Sequence, residues 1–300
     1  WIRVVVVLGV VAGLGLGGWM KSSPVEAQSS FNGTWKASIS KENSKLNLQM
    51  QRDREQDRKS NMGSDFAFSD LQGLTQEQAT NGGPANFSLV REAGRIDFEG
   101  SFQNGKGSGT FRFTPNAAFI SAMKSRGYNF DDTQDSDGHH GDDRAFAATV
   151  LNVTTALADD LNSAGFDKLG VHDLFKAAIF KIDSQFAREM KASGFQNLGM
   201  EELVKARIFK IDANFVRQAA QMGFDKEPFE SLVKMQIFKV TPEFISEVRN
   251  EGLTNLQVED VVKLRIFKID AQFIREAKAD GVPLEVERLV QRKIGVARHR

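Results

Sequence analysis

The chain has 300 residues, 41% hydrophobic and 26% charged, which suits a globular protein of about two domains. Lysine plus arginine equals aspartate plus glutamate at 39 each, so the basic excess on which phosphate-neutralising proteins depend is missing, and nucleic acid is not an expected partner. Cysteine is absent, which excludes disulfides, thiolate metal sites and cysteine nucleophiles.

Residues 1–27 read as a targeting segment. Arg3 precedes the apolar run VVVVLGVVAGLGLGGWM, and Val25-Glu26-Ala27 puts small residues at the −3 and −1 positions of a cleavage after Ala27. An uncleaved anchor is the other reading, because the run approaches the ~20 residues that span a bilayer. Either way the remainder is expected outside the cytoplasm, in the periplasm or secreted. Only an uncleaved N-terminal segment would then touch the membrane.

Residues 28–114 carry short runs of alternating hydrophobicity. Trp35, Ala37 and Ile39 share one parity, as do Leu46, Leu48 and Met50, then Phe66/Phe68, Phe87/Leu89, Ile96/Phe98/Phe102 and Phe111/Phe113. Period two marks half-buried antiparallel strands. Ala93-Gly94 and Asn104–Gly107 supply hairpin turns. The expectation is a β-meander of about six strands that curls over one core or closes as a small barrel. The charged run 51–64 (QRDREQDRKSNMGS) is expected to be a long solvated hairpin loop.

From residue 115 to the end the period becomes helical, and one phrase recurs. Ile-Phe-Lys-Ile-Asp stands at 179–183, 208–212 and 266–270, with Ile-Phe-Lys-Val-Thr at 237–241, every 29 residues. Gly165, Gly194, Gly223, Gly252 and Gly281 keep the same step. A fixed period of this size predicts a stacked array of helical hairpins, whose units bury their apolar faces only against one another. Asp183, Asp212, Thr241 and Asp270 are placed to cap one helix of each unit, and the glycine to end it in a left-handed turn. The second, short helix carries Val261, Val262 and Ile266, or Leu203, Val204 and Ile208 one unit earlier. The Phe column 180, 209, 238 and 267 is expected to form the spine of the core. An acidic insertion, 131–143, interrupts the repeat. The fold class is thus α+β in two domains, and the few residues between Phe111 and Phe119 predict a fixed mutual orientation.

Several stretches together look familiar: Gly33-Thr34-Trp35, Gln72-Gly73-Leu74, the run from Arg95 to Asn116, and TPEFISEVRNEG at 241–252. Their layout over roughly residues 29–300 resembles the extracytoplasmic region that follows the peptidase domain in bacterial membrane regulators similar to the BlaR/MecR-type antirepressors. That resemblance implies an envelope-sensing or interaction role, with an envelope or membrane-regulator protein as partner. This sequence departs from the family's phrase Ile-His-Gly-Val-Thr-Pro, with Phe and Lys in place of His and Gly. It also has no His-Glu-x-x-His, so the zinc-peptidase site is not carried over.

Candidate sites are few. The acids Asp131, Asp132, Asp135, Asp137, Asp142 and Asp143 with His139 and His140 are the best metal candidate, but the calcium-loop register fails, since the twelfth position is Arg144. A solvated loop is expected there, with no metal and no cofactor. His172 and His299 stand alone in sequence. No nucleophile-elbow, phosphate-loop or acid–base constellation is present, so no enzyme is expected. Gly33-Thr34-Trp35 is similar to the Gly-x-Trp of lipocalin-like barrels, in which the Trp closes the barrel end. The remaining candidates are basic columns that stacking would align. These are Lys181, Lys210, Lys239 and Lys268, then Lys176, Lys205, Lys234 and Lys263, and then Arg188, Arg217 and Arg275. Glu201, Glu230 and Glu259 recur at the same step, which fits an ion-paired outer face instead. The expected function is a non-enzymatic protein-interaction or envelope-sensing module acting through the array. A small-ligand carrier built on the β-domain is the alternative. A cavity among Phe98, Phe111 and Phe113 would favour the carrier, and exposed apolar residues on the array would favour the interaction module.

Overall fold

A computed structural model describes residues 30–40, 44–53, 59–130, 141–166 and 169–295. The targeting segment 1–27, most of the acidic insertion (131–140) and His299 lie outside the described residues. Of that insertion, only the backbone of 141–143, the first turn of a helix, is described.

The fold is α+β. Seven antiparallel strands come first: β1 (Phe31–Ile39), β2 (Lys45–Asp53), β3 (Lys59–Ala67), β4 (Leu71–Gln72), β5 (Gly83–Arg91), β6 (Gly94–Gln103) and β7 (Lys106–Pro115). They form one sheet in the order β3-β2-β1-β7-β6-β5-β4. Each strand therefore pairs with its successor except β3 and β4, and the first strand pairs with the last. β3 and β4 are the two edges, yet only a 3-10 turn, Phe68–Asp70, separates them in sequence. Three intervening residues reach ~14 Å at most, so the sheet must curl until its edges approach. The result is a half-barrel.

Small inward-facing residues permit that curl. Gly100 and Gly109 face each other across β6 and β7, and a Cβ on Gly109 would lie 1.9 Å from the Glu99 carbonyl oxygen. The Trp35 ring occupies the space they leave. On the inner face Trp35, Phe87, Phe98 and Phe102 pack together, with Phe87 and Phe98 stacked at 4.6 Å.

The predicted 51–64 loop is mostly strand. β2 runs to Asp53 and β3 begins at Lys59, with Met50 opposite Met62 in register. Polar side chains on an outer face do not prevent a strand from forming its ladder; here Asn47 donates to Asp65 across that face at 2.8 Å. Composition had mimicked a loop.

Thirteen helices are described. α1 (Gln76–Asn81) is inserted between β4 and β5 and packs against β1, β5, β6 and β7. The array comprises α2 (Ala117–Ser125), α3 (Gly141–Leu151), α4 (Thr155–Ser163), α5 (Val171–Phe180), α6 (Ser184–Ala192), α7 (Met200–Ile208) and α8 (Ala213–Gln221). It continues with α9 (Phe229–Ile237), α10 (Pro242–Asn250), α11 (Val258–Ile266), α12 (Ala271–Ala279) and α13 (Val286–Lys293). Odd helices stack on odd (α3 on α5, α5 on α7, α9 on α11, α11 on α13), and even on even (α2 on α4, α4 on α6, α10 on α12). Most are nine residues long, too short to persist alone in water.

Sheet and array share one core. Phe146 of α3 stacks on Phe111 at 5.6 Å and meets Phe31 and Phe113 edge-on at 5.3 Å, so a helix of the array fills the half-barrel. At the junction, Glu92 in the β5–β6 turn accepts from the Thr155 backbone N–H (2.8 Å) and hydroxyl (3.0 Å) at the start of α4. Asn116 caps α2 and also donates to the Glu92 carbonyl.

Candidate interaction surface on the helical array

The recurring five-residue phrase gives each of its positions a different task. Its last residue is an N-cap, as expected. Asp183 Oδ1 accepts from Phe186 N–H at 2.8 Å, Asp212 from Phe215 at 2.8 Å, Thr241 from Phe244 at 3.3 Å and Asp270 from Phe273 at 2.9 Å. The fourth residue, Ile182, Ile211, Val240 or Ile269, is buried in the core. Its N–H reaches back to the odd helix, as when Ile211 donates to Ala206 at 2.8 Å, and this closes the helix.

That closure forces the third residue into the left-handed region. Lys181, Lys210, Lys239 and Lys268 have φ of 53°, 55°, 53° and 52°. Glycine suits this seat best, and a residue with a Cβ costs roughly 1–2 kcal/mol there. At the array's ends the same seat holds Asn152 and Gly295. All four lysines are exposed, and among the described residues no carboxylate lies within ion-pair distance of them.

The second residue departs from expectation. Phe180, Phe209, Phe238 and Phe267 are half-buried and pack against the margin of the core rather than forming its spine. Each is the last residue of its odd helix or the one after it, so its ring covers the helix end. The first residue is more exposed still. Ile179, Ile208, Ile237 and Ile266 are 53%, 52%, 49% and 49% exposed, and Ile294 at the end of α13 is 54% exposed. In α11, Glu259, Lys263 and Ile266 fall at i, i+4 and i+7, on one helix face. Two charged residues there mark that face as solvated, a signal already present in the sequence.

Beside the isoleucines runs a second lysine row, and it is engaged. Lys176 pairs with Glu201 of the next repeat, Lys205 with Glu230 at 2.7 Å, Lys234 with Glu259 at 2.9 Å, and Lys263 with Glu287. Hydrogen bonding to Glu230 holds the Lys205 ammonium above the ordinary lysine range. The Lys234 hydrogen bond holds Glu259 below the ordinary carboxylate range. The anticipated interleaving of signs is therefore a ladder between repeats, with each rung contributing ~0–1 kcal/mol.

The arginine candidates lie elsewhere, on the even helices. Arg217 donates to Asn214, and Arg275 pairs with Glu251 at 2.6 Å. Arg188 lies close enough to Asp160 to favour its ionised form. The fourth position of that column is Ser246. The structure thus does not join these arginines and the left-handed lysines into one basic stripe. A different arginine set escaped the sequence reading. Arg207 donates to the Lys181 carbonyl at 2.7 Å while lying 3.7 Å over the Phe186 ring. Arg265 does the same to the Phe238 carbonyl at 2.9 Å, and Gln236 to Lys210 at 3.2 Å. These groups tie each left-handed turn to the following repeat.

Other candidates fare less well. Trp35 is 1% exposed, and its indole N–H donates to the Glu99 carbonyl, so it is a packed core residue. Phe98, Phe111 and Phe113 pack among other rings. An open groove of about 850 Å³ crosses the sheet's outer, polar face, lined by Asn32, Asn86, Arg95, Asp97, Thr110 and Arg112 among others. His172 lies edge-on to Phe175 at 6.2 Å. Among the described residues no three His, Asp or Glu side chains gather at metal-ligand spacing, and no helix is long and apolar enough to cross a membrane. Comparison with protein-family models, curated proteins and solved structures finds no match.

Proposed function

We infer that the protein is a non-enzymatic interaction module of the cell envelope, and that its working surface is the solvated face of the odd helices. The observation that carries this reading is the row of half-exposed isoleucines, 179, 208, 237 and 266, beside lysines held in left-handed turns. Scattered surface isoleucines would need no explanation, but isoleucines exposed at the same position of four successive repeats are what an interaction site on a repeat array looks like. The aromatic filling of the half-barrel supports this reading over a ligand carrier, which needs interior space. Export beyond the cytoplasm, and kinship with the region following the peptidase in BlaR/MecR-type regulators, belong to the same proposal. They rest on the N-terminal segment and on the repeat layout.

A cross-linking pull-down from envelope extract tests it. The full chain is compared with the combined Ile179→Ser, Ile208→Ser, Ile237→Ser and Ile266→Ser variant, after circular dichroism has verified its helix content. Loss of the captured species in the variant is expected. Equal capture by both chains would show that this face is not the working surface.

A further inference from the structure

We propose that the isoleucine–lysine face of the odd helices docks on an anionic lipid surface, the isoleucines entering the headgroup boundary and Lys181, Lys210, Lys239 and Lys268 meeting the phosphates. This rests on the reading of that face as the working surface and names its partner.

The first argument is internal divergence. Exposed positions whose side chains bond only locally, within their own repeat or to solvent, differ from repeat to repeat. Residues 185, 214, 243 and 272 are Gln, Asn, Glu and Gln, while 196, 225, 254 and 283 are Gln, Asp, Thr and Pro. Ile-Phe-Lys is identical in all four repeats although neither the isoleucine nor the lysine serves stability. The isoleucine stands half in water, and the lysine occupies a seat that glycine fills better. Residues that break local rules identically four times point to function. A folded protein partner would present different chemistry to each repeat, whereas a lipid surface presents the same chemistry to all.

The second argument is complementarity. A polyanion would use the lysines and leave the isoleucines idle. A second copy of this chain could bury the isoleucines, but the second lysine row is already neutralised by glutamates of the next repeat, which leaves Lys181, Lys210, Lys239 and Lys268 without carboxylate partners among the described residues, and face-to-face pairing would bring those like charges together. Anionic lipid alone satisfies both kinds of residue. It offers an apolar layer beneath a negative surface, the arrangement that basic amphipathic faces recognise.

The absence of cysteine makes the test site-specific. The full chain with Ile208→Cys, labelled with a polarity-sensitive dye, is mixed with phosphatidylcholine vesicles with and without phosphatidylglycerol. Gln218→Cys, exposed on the even helix α8, is the control. The dye at 208 is expected to shift to the blue with anionic vesicles only, reversibly with salt, and the dye at 218 to stay unchanged. Replacing Lys181, Lys210, Lys239 and Lys268 by Gly in the labelled chain should raise Tm, because it relieves the turns. The same replacement should weaken vesicle binding roughly tenfold or more, since each lysine near such a surface contributes several-fold. Weaker binding therefore cannot be ascribed to misfolding. Sedimentation with vesicles without a shift at 208 would mean that the N-terminal apolar run does the binding, and would overturn the proposal. So would an equal shift with neutral vesicles. If no shift occurs but the isoleucine-to-serine variant loses its captured species, the partner is a protein and the interaction reading survives. If no shift occurs and capture is unchanged, both fall.

Discussion

The sheet and the array solve the same problem in opposite ways. In the sheet, β1 pairs with β7, so the first and last strands must meet before the half-barrel exists. Its interior is a single aromatic cluster in which Trp35 touches Phe87, Phe98 and Phe102. In the array helices pack on near neighbours, and the same caps and Lys–Glu pairs recur from repeat to repeat. A defect in the sheet is therefore felt everywhere, while a defect in the array is shared only with the flanking repeats. Stability concentrated in one core leaves no surface to spare. Stability distributed over repeats leaves each unit free to carry a residue that adds nothing to folding.

The largest effect should come from attacking the concentrated core. Trp35→Ala removes the ring that packs against Gly100 and among Phe87, Phe98 and Phe102. The expected loss is ~3–5 kcal/mol, a large share of the stability of an ordinary domain. Denaturant titration followed by near-ultraviolet and far-ultraviolet circular dichroism should show the sheet signal lost first. The helical signal should follow at higher denaturant, because the array meets the half-barrel mainly through α3, whose Phe146 stacks on Phe111. If both signals still fall together, the array depends on the sheet more than its neighbour-by-neighbour packing implies.

A smaller and local effect is expected in the array. Asp212→Ala removes the acceptor of the Phe215 N–H and should cost ~1 kcal/mol. Hydrogen exchange should quicken in α8 and the helices touching it, with the sheet unaffected. Exchange rising evenly along the chain would contradict the comparison. This cap was legible in the sequence, because an acidic residue ahead of an apolar period has few other duties. So were the repeat period, the glycine turns and the alternation of the strands. Two features were not. The strands around residues 51–64 were hidden because backbone ladders satisfy themselves whatever the side chains on a solvated face. The exposure of the isoleucines was hidden because an apolar residue at a helix end does not declare its face; Lys263 and Glu259, about one and two turns before Ile266, carried that information. The ties from Arg207 and Arg265 to carbonyls one repeat back were beyond reach, since they depend on how far repeats slide past one another.

The smallest effect separates the two regions by pH. Asp160 of α4 accepts from the Ser184 backbone N–H at 2.7 Å and from its hydroxyl at 2.6 Å, joining one repeat to the start of the next. Those bonds, with the Arg188 charge nearby, hold its carboxyl below the ordinary aspartate range. A carboxylate depressed on folding adds stability above its unfolded value of about 3.9, and that stability is lost as the pH falls through the lower folded value. Because Asp160 is only partly buried, solvent screening keeps the contribution at neutral pH to roughly 1 kcal/mol or less. Asp160→Asn keeps an acceptor but has no charge to lose. The variant should be slightly less stable at neutral pH, and the difference should close as the pH drops below about 4. A gap that persists unchanged to about pH 2 would mean that shape rather than charge makes the connection. If it closes, acid loosens the polar ties between repeats while the sheet's wholly apolar interior has nothing to protonate, and the array should open first.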